Sequence, residues 1–296
     1  AGIFDRPFGD EIIYSSSRRE SPERSLVFQK LFPDERDMGG MLTIGAPKNF
    51  FLEGLKLEAG LFSGNGIRQD DNGKMDFIGR VSYLKSTANV SFGLGASYYY
   101  GTVNNADTFI YNVETVNDIN QWVKTAVEAN QLNTRQYWGV DAQFTVSTTS
   151  GLTNVRGEIL GGTQPSVKSD FGSPKSNTYS DGTTTYKSFN YMRNFFGGHV
   201  YLIQDIYKTP LSVVLKYGYL DPNTQLAGDE IKEKTDLINK NYGFGLLWRA
   251  SANVRVQAFY EIVRNEYTTG IAVNGNADYS KDVADNIFTL RLQYKF

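Results

Sequence analysis

Apolar and polar residues alternate one by one over most of this chain, as expected of extended strands whose two faces meet different surroundings. Val90, Phe92, Leu94, Ala96, Tyr98 and Tyr100 make one apolar face, and Leu211, Val213, Leu215, Tyr217 and Tyr219 a second. Tyr242, Phe244, Leu246 and Trp248 make a third, and Val254, Val256, Ala258, Tyr260 and Ile262 a fourth. In the closing stretch Phe288, Leu290, Leu292, Tyr294 and Phe296 alternate with Thr289, Arg291, Gln293 and Lys295. The pattern predicts twelve strands, near 1–9, 37–47, 51–63, 75–86, 88–102, 135–147, 152–164, 189–205, 210–221, 240–250, 253–265 and 286–296.

The connections alternate in length. Short ones fall at 48–50, around Thr87, and at 148–151, 206–209 and 251–252; long ones fall at 10–36, 103–134, 165–188, 222–239 and 266–285, with 65–74 intermediate. A soluble sandwich has short regular strands too, but it does not require this alternation. A transmembrane β-barrel does, with short turns on the periplasmic side and longer loops outside. Each run also meets the about 9–11 residues that a membrane strand needs. The expectation is one all-β domain over 1–296, a transmembrane antiparallel β-barrel, with lipid and lipopolysaccharide against its outer face. Tyr98–Tyr100, Tyr137, Trp138, Tyr217, Tyr219 and Tyr294 lie near strand ends, where amphipathic rings suit the headgroup level.

Two short helices are expected inside the long loops. Ser21, Pro22 and Glu23 have the order of N-cap, first helical position and acidic first turn, which predicts a short helix over Ser25 to Leu31, stopped at Phe32 by Pro33. In 117–130, Ile119, Trp122, Val123, Ala126 and Val127 fall on one helical face, an apolar stripe that needs a cover.

Composition agrees with a barrel. Mean hydropathy is −0.39 and no apolar run is long enough for a helical span. A barrel escapes that test, because only every second residue faces lipid. With no Cys there is neither a disulfide framework nor a thiolate metal site. A net charge of −2 gives no basis for a nucleic-acid partner. The chain opens directly on Ala1-Gly-Ile-Phe, with no leader-like segment, as a processed chain or a fragment would.

The closing strand, with its aromatic last residue, resembles the final strand of bacterial outer-membrane barrels, where such a residue as Phe296 belongs to the barrel-assembly signal. Arg6-Pro-Phe-Gly-Asp-Glu11, Arg19-Glu-Ser-Pro-Glu-Arg-Ser25 and Leu31-Phe-Pro-Asp-Glu-Arg-Asp-Met-Gly39 resemble the phosphate-selective porin O and P family in its Bacteroidetes-like form. Gly60–Gly66 and Lys216–Asp221 are weaker echoes. The resemblance is strong over about 40 residues. It implies a 16-stranded homotrimeric porin whose third external loop folds into the lumen. That family has further strands before its Pro-Phe-Gly segment. If four strands precede Ala1, loop 10–36 becomes that third loop, and Arg18, Arg19, Arg24, Lys30 and Arg36 become constriction cations. A complete 12-stranded barrel is the alternative.

Strand parity puts Lys56, Arg80, Arg156, Lys216, Arg249, Arg255, Arg291 and Lys295 on the inner face with Glu58, Asp141, Glu158 and Glu261. That face carries +4, leaving −6 for the rest of the chain. Basic rings in a pore favour anions. The expected function is diffusion of small anions, phosphate among them, with no cofactor and no catalysis. His199, the only histidine, has no nucleophile motif around it. The rival expectation is an accessory barrel within a larger outer-membrane complex, with the 103–134 loop as docking surface.

Overall fold

The computed structural model describes residues 1–32, 34–68, 70, 72–173, 178–180, 183–185, 188–274 and 277–295. Its strands are β1 (Gly2–Asp5), β2 (Arg36–Gly45), β3 (Leu55–Phe62), β4 (Asp76–Ser86), β5 (Val90–Asn105), β6 (Phe109–Val116), β7 (Ile119–Ala126), β8 (Gln131–Thr148), β9 (Gly151–Ser166), β10 (Thr178–Ser180), β11 (Thr183–Thr185), β12 (Tyr191–Asp205), β13 (Leu211–Asp221), β14 (Asn239–Arg249), β15 (Val254–Asn265) and β16 (Ile287–Tyr294). One short helix, α1 (Leu26–Leu31), sits between β1 and β2.

The fold is all-β and antiparallel. A 14-stranded sheet runs β1-β2-β3-β4-β5-β8-β9-β12-β13-β14-β15-β16, with the β6–β7 hairpin attached through β12. The twelve strands on that path are those the alternation predicts. Extents differ in places: β1 ends at Asp5 because Arg6-Pro7 turns the chain inward, β3 starts at Leu55 rather than near 51, and β5 and β8 reach into the expected 103–134 loop, to Asn105 and from Gln131.

Register holds the two faces apart. Phe92, Leu94, Val140, Phe144, Val155, Val200, Leu215, Phe244, Leu246, Trp248 and Leu292 are exposed on the outer face. Their neighbours Arg80, Ser97, Arg135, Asp141, Arg156, Glu158, Arg193 and Lys216 are buried on the inner face. This inverts the usual soluble pattern, in which large apolar side chains leave water. Tyr99 and Tyr137 depart from the interfacial role expected of them. Both point inward with 0% exposure, and their rings meet edge to face at 5.1 Å.

The β6–β7 hairpin corrects the helix expected in 117–130. Asn117 and Asp118 both take left-handed backbone, φ 53° and 62°, and join the two strands in register from Val116 opposite Ile119 to Phe109 opposite Ala126. Asn and Asp tolerate that conformation best after Gly, and two of them in succession suit a tight hairpin turn. Both strands are rich in β-branched and aromatic residues, so cross-strand pairing prevails over the helical spacing. Part of the apolar stripe is covered within the chain: Trp122, with Val113, packs on Leu226, Ile231 and Leu237 from the loop after β13, together with Ile271 and Tyr279, while Ile119 stays exposed.

Candidate functional site

The segment 6–35 leaves β1, enters the concave side of the sheet, and returns to β2. Strands from both halves of the sheet touch it. Arg6 lies 3.9 Å from Asp37 on β2. The Gly9 amide donates to Ser97 Oγ on β5 at 3.0 Å, and the Asp10 amide to Glu158 Oε2 on β9 at 3.1 Å. Tyr201 on β12 donates to Glu11 Oε1 at 3.0 Å. At the far side, Gln257 on β15 donates to the Arg19 and Glu20 carbonyls at 3.0 and 2.9 Å, and Arg291 on β16 to the Pro22 carbonyl at 2.7 Å. The sheet therefore curls round this segment. Gly9 is required where it stands: φ is +64°, and a Cβ there would overlap the Glu158 carboxylate.

Against β4, β5, β8, β9 and β12 the inner segment makes a core. Phe8, Ile12, Val27, Phe28, Leu31 and Phe32 pack on Ile78, Tyr99, Tyr137, Leu160 and Phe195. Phe32 stacks on Tyr99 at 6.1 Å and meets Tyr137 edge-on at 5.8 Å. Pairs of this kind are each worth about 0.5–1.5 kcal/mol beyond their buried area.

Helix α1 falls on the expected stretch, but Ser21 is not its cap. The chain at 19–24 gives its carbonyls to Arg255, Gln257, Arg291 and Lys216 instead of to helical amides. The cap is Ser25, whose amide donates to Glu11 Oε1 at 2.9 Å and whose hydroxyl donates to Glu11 Oε2 at 2.5 Å. Burial pushes the Glu11 carboxyl up, but His199, Lys216 and the two Ser25 donors outweigh it and hold Glu11 below the usual carboxylate range. His199 points inward, its Nδ1 3.5 Å from Glu11 Oε2. Among the described residues no group of His, Asp and Glu has the makings of a metal site.

The predicted inner-face cations divide sharply. Arg80 forks onto Asp141 with bonds of 2.5 and 2.9 Å, both side chains buried. Arg156 pairs with Glu20, and Lys216 with Glu261 at 3.0 Å. Arg24, expected to face the pore, is buried: it pairs with Glu35 and donates to the Glu11 and Ile12 carbonyls at 3.0 Å each. Burial, with Arg19 nearby, lowers its pKa to about 10. Lys30 is exposed and pairs with Asp170 at 2.9 Å. Arg36 is a correction to the constriction set. By strand parity it points outward, and it is exposed and 3.3 Å from Asp5.

The remaining cations lie near β14 to β16. Arg255 donates to the Arg19 carbonyl at 2.9 Å and Arg291 to the Pro22 carbonyl, so both keep their charge uncompensated by a carboxylate contact among the described residues. Arg249 pairs with Asp205 at 3.2 Å across a half-exposed contact. Arg18 is exposed, its guanidinium over the Tyr14 ring at 5.4 Å. Arg19 is buried without an ion pair among the described residues. Phe296 lies outside the described residues.

Sequence reasoning missed Arg135 and Arg193. Arg135 pairs with Asp76, which also accepts from Tyr99 at 2.5 Å, and Arg193 pairs with Asp236 at 2.7 Å. Both sit at inward parity, Arg135 as the first residue of the expected strand 135–147 and Arg193 near the start of 189–205, but outside the inner-face set read from the sequence.

No family model matches the chain, and no curated protein does. The structure is similar to OmpT, an outer-membrane protein of Vibrio cholerae, with TM-score 0.47, 10% identity, and 98% of this chain matched to 74% of that one. For the trimer form of OmpT the TM-score is 0.49 at 12% identity, over 98% of this chain and 75% of that one. The NanC porin gives TM-score 0.37 and 9% identity, over 88% of this chain and 93% of that one.

Proposed function

We propose that this chain forms a β-barrel of the bacterial outer membrane, with the short turns towards the periplasm, and that it passes small anions without catalysing a reaction. Support for the membrane setting comes from the exposed apolar outer face, which water would penalise and hydrocarbon would not. The observation that carries the anion reading is the pair Arg255 and Arg291: inward, charged, and bonded to backbone carbonyls rather than to carboxylates. Wall cations left in this state attract anions, and a narrow channel focuses their field.

The solute path runs along β14 to β16, because the opposite wall is filled by the inner segment. Arg18, Arg249, Arg255 and Arg291 line it; Arg156 and Lys216, with Arg24 inside the segment, hold the inner segment in place. Phosphate is among the anions, in keeping with the resemblance of the Arg6–Glu11, Arg19–Ser25 and Leu31–Gly39 segments to phosphate-selective porins. In planar bilayers the purified protein should conduct, with a reversal potential in a salt gradient that reports anion preference. Cation preference, or no conductance, overturns the proposal. The accessory-subunit reading rests on an apolar stripe needing a partner; the chain's own loops take in Trp122 of that stripe, and Ile119 stays exposed.

A further inference from the structure

A basic pocket opens at the short-turn end of the interior. Its volume is about 260 Å³, and it lies between the tip of the inner segment, the β14–β15 turn and the end of β16. Four cations line it, Arg18, Arg249, Arg255 and Lys295, and among the described residues its lining holds no acidic side chain. They come from four separate stretches of chain that the fold brings together. Of the four, Arg249 has a carboxylate within ion-pair distance among the described residues. Arg255 spends one donor on the Arg19 carbonyl, and its Nε has no acceptor among the described residues. Gln293, on the same wall, donates to the Ser17 carbonyl at 3.5 Å. Like charges gathered this closely repel one another, and the arrangement is stabilised by whatever anion enters.

We propose that this pocket binds a small organic polycarboxylate. The inference deepens the anion reading of the β14–β16 wall and rests on it for the route by which the ligand arrives. Three features favour a polycarboxylate over a compact inorganic anion. The cations are contributed by four stretches of chain rather than by one, so separate carboxylates can each meet a cation. Three of them are guanidiniums, whose planar fork matches a carboxylate with two parallel hydrogen bonds. Ala252 also lines the space, and apolar lining suits a short hydrocarbon backbone and offers nothing to phosphate.

The test is calorimetric titration of the full chain in detergent at low salt, with citrate, inorganic phosphate and acetate as separate probes. Citrate should bind at least tenfold more tightly than phosphate, and acetate more weakly than both. Arg18→Ser and Lys295→Ser each change an exposed side chain, and each should weaken citrate at least tenfold with the unfolding midpoint unmoved. Phosphate binding as tightly as citrate overturns the proposal, as does citrate binding that both variants retain. Chloride conductance in bilayers separates this site from the porin reading. Citrate binding without conductance keeps the pocket and removes the pore; conductance without citrate binding does the reverse.

Discussion

Two walls of the same sheet treat identical residue types in opposite ways. On one wall, β4, β8, β9 and β12 present Arg80, Arg135, Arg156 and Arg193, each paired with a carboxylate. Across the interior, Arg255 and Arg291 meet backbone carbonyls. The cavity left beside Asp10, Tyr14, Arg156 and Glu158 is about 10 Å³, scarcely space for one water, whereas the pocket beside Arg255 is about 260 Å³. An inward arginine is therefore not in itself a pore residue. What decides its role is whether an acid reaches it, from a neighbouring strand as Asp141 does for Arg80 and Asp76 for Arg135 or from the inner segment as Glu20 does for Arg156, or only carbonyls, as Arg19 and Pro22 supply to Arg255 and Arg291.

The largest test of the contrast is truncation on either side. Arg135→Ala strands Asp76, which is 0% exposed, so about 3–5 kcal/mol of stability should go. Arg255→Ala gives up a charged donor's bond to one carbonyl and should cost about 1–2 kcal/mol. Unfolding of both variants in detergent by heat or denaturant checks the ratio; equal losses would erase the difference between the walls.

Next in size is Glu11→Ala. It removes the acceptor of the Ser25 amide, the Ser25 hydroxyl and the Tyr201 hydroxyl. Each buried donor left unsatisfied costs about 1–3 kcal/mol. The inner segment should loosen, becoming open to protease between residues 12 and 20 and raising the conductance. Unchanged proteolysis would mean that the aromatic core alone seats the segment.

The smallest effect belongs to Asp10. Burial, with Asp141 nearby, raises its pKa above the ordinary carboxylate value. A raised folded-state value favours the fold in acid, and that contribution is lost as pH climbs through it. Asp10→Asn should flatten the dependence of stability on pH over that range and raise stability at neutral pH by less than about 1 kcal/mol. A steeper dependence in the variant would contradict the assigned cause.

Much of this was legible before any coordinates. Period-two alternation located all twelve strands of the path, and its parity put Lys56, Arg80, Arg156, Lys216, Arg249, Arg255 and Arg291 on the inner face. The β6–β7 hairpin was not legible, because Ile119, Trp122, Val123 and Ala126 follow helical spacing and divide two and two between the faces of a strand; the Asn117-Asp118 turn was the available signal. The division of the cations was hidden for another reason. Pairing of Arg156 with Glu20, or of Arg24 with Glu35, depends on how the inner segment lies in three dimensions, and strand parity carries no information about that.

The central claim is that charge on the β14–β16 wall governs selectivity while charge on the wall beneath the inner segment does not. The reversal potential in a potassium chloride gradient tests it, measured for the wild type, for Arg255→Gln with Arg291→Gln, and for Arg80→Met with Asp141→Leu. The last variant replaces a buried pair by apolar groups of similar size, a change proteins often tolerate. The account predicts anion preference in the wild type, its loss in the Arg255 and Arg291 variant, and its retention in the Arg80 and Asp141 variant. Equal shifts in the two variants, or cation preference in the wild type, would contradict it.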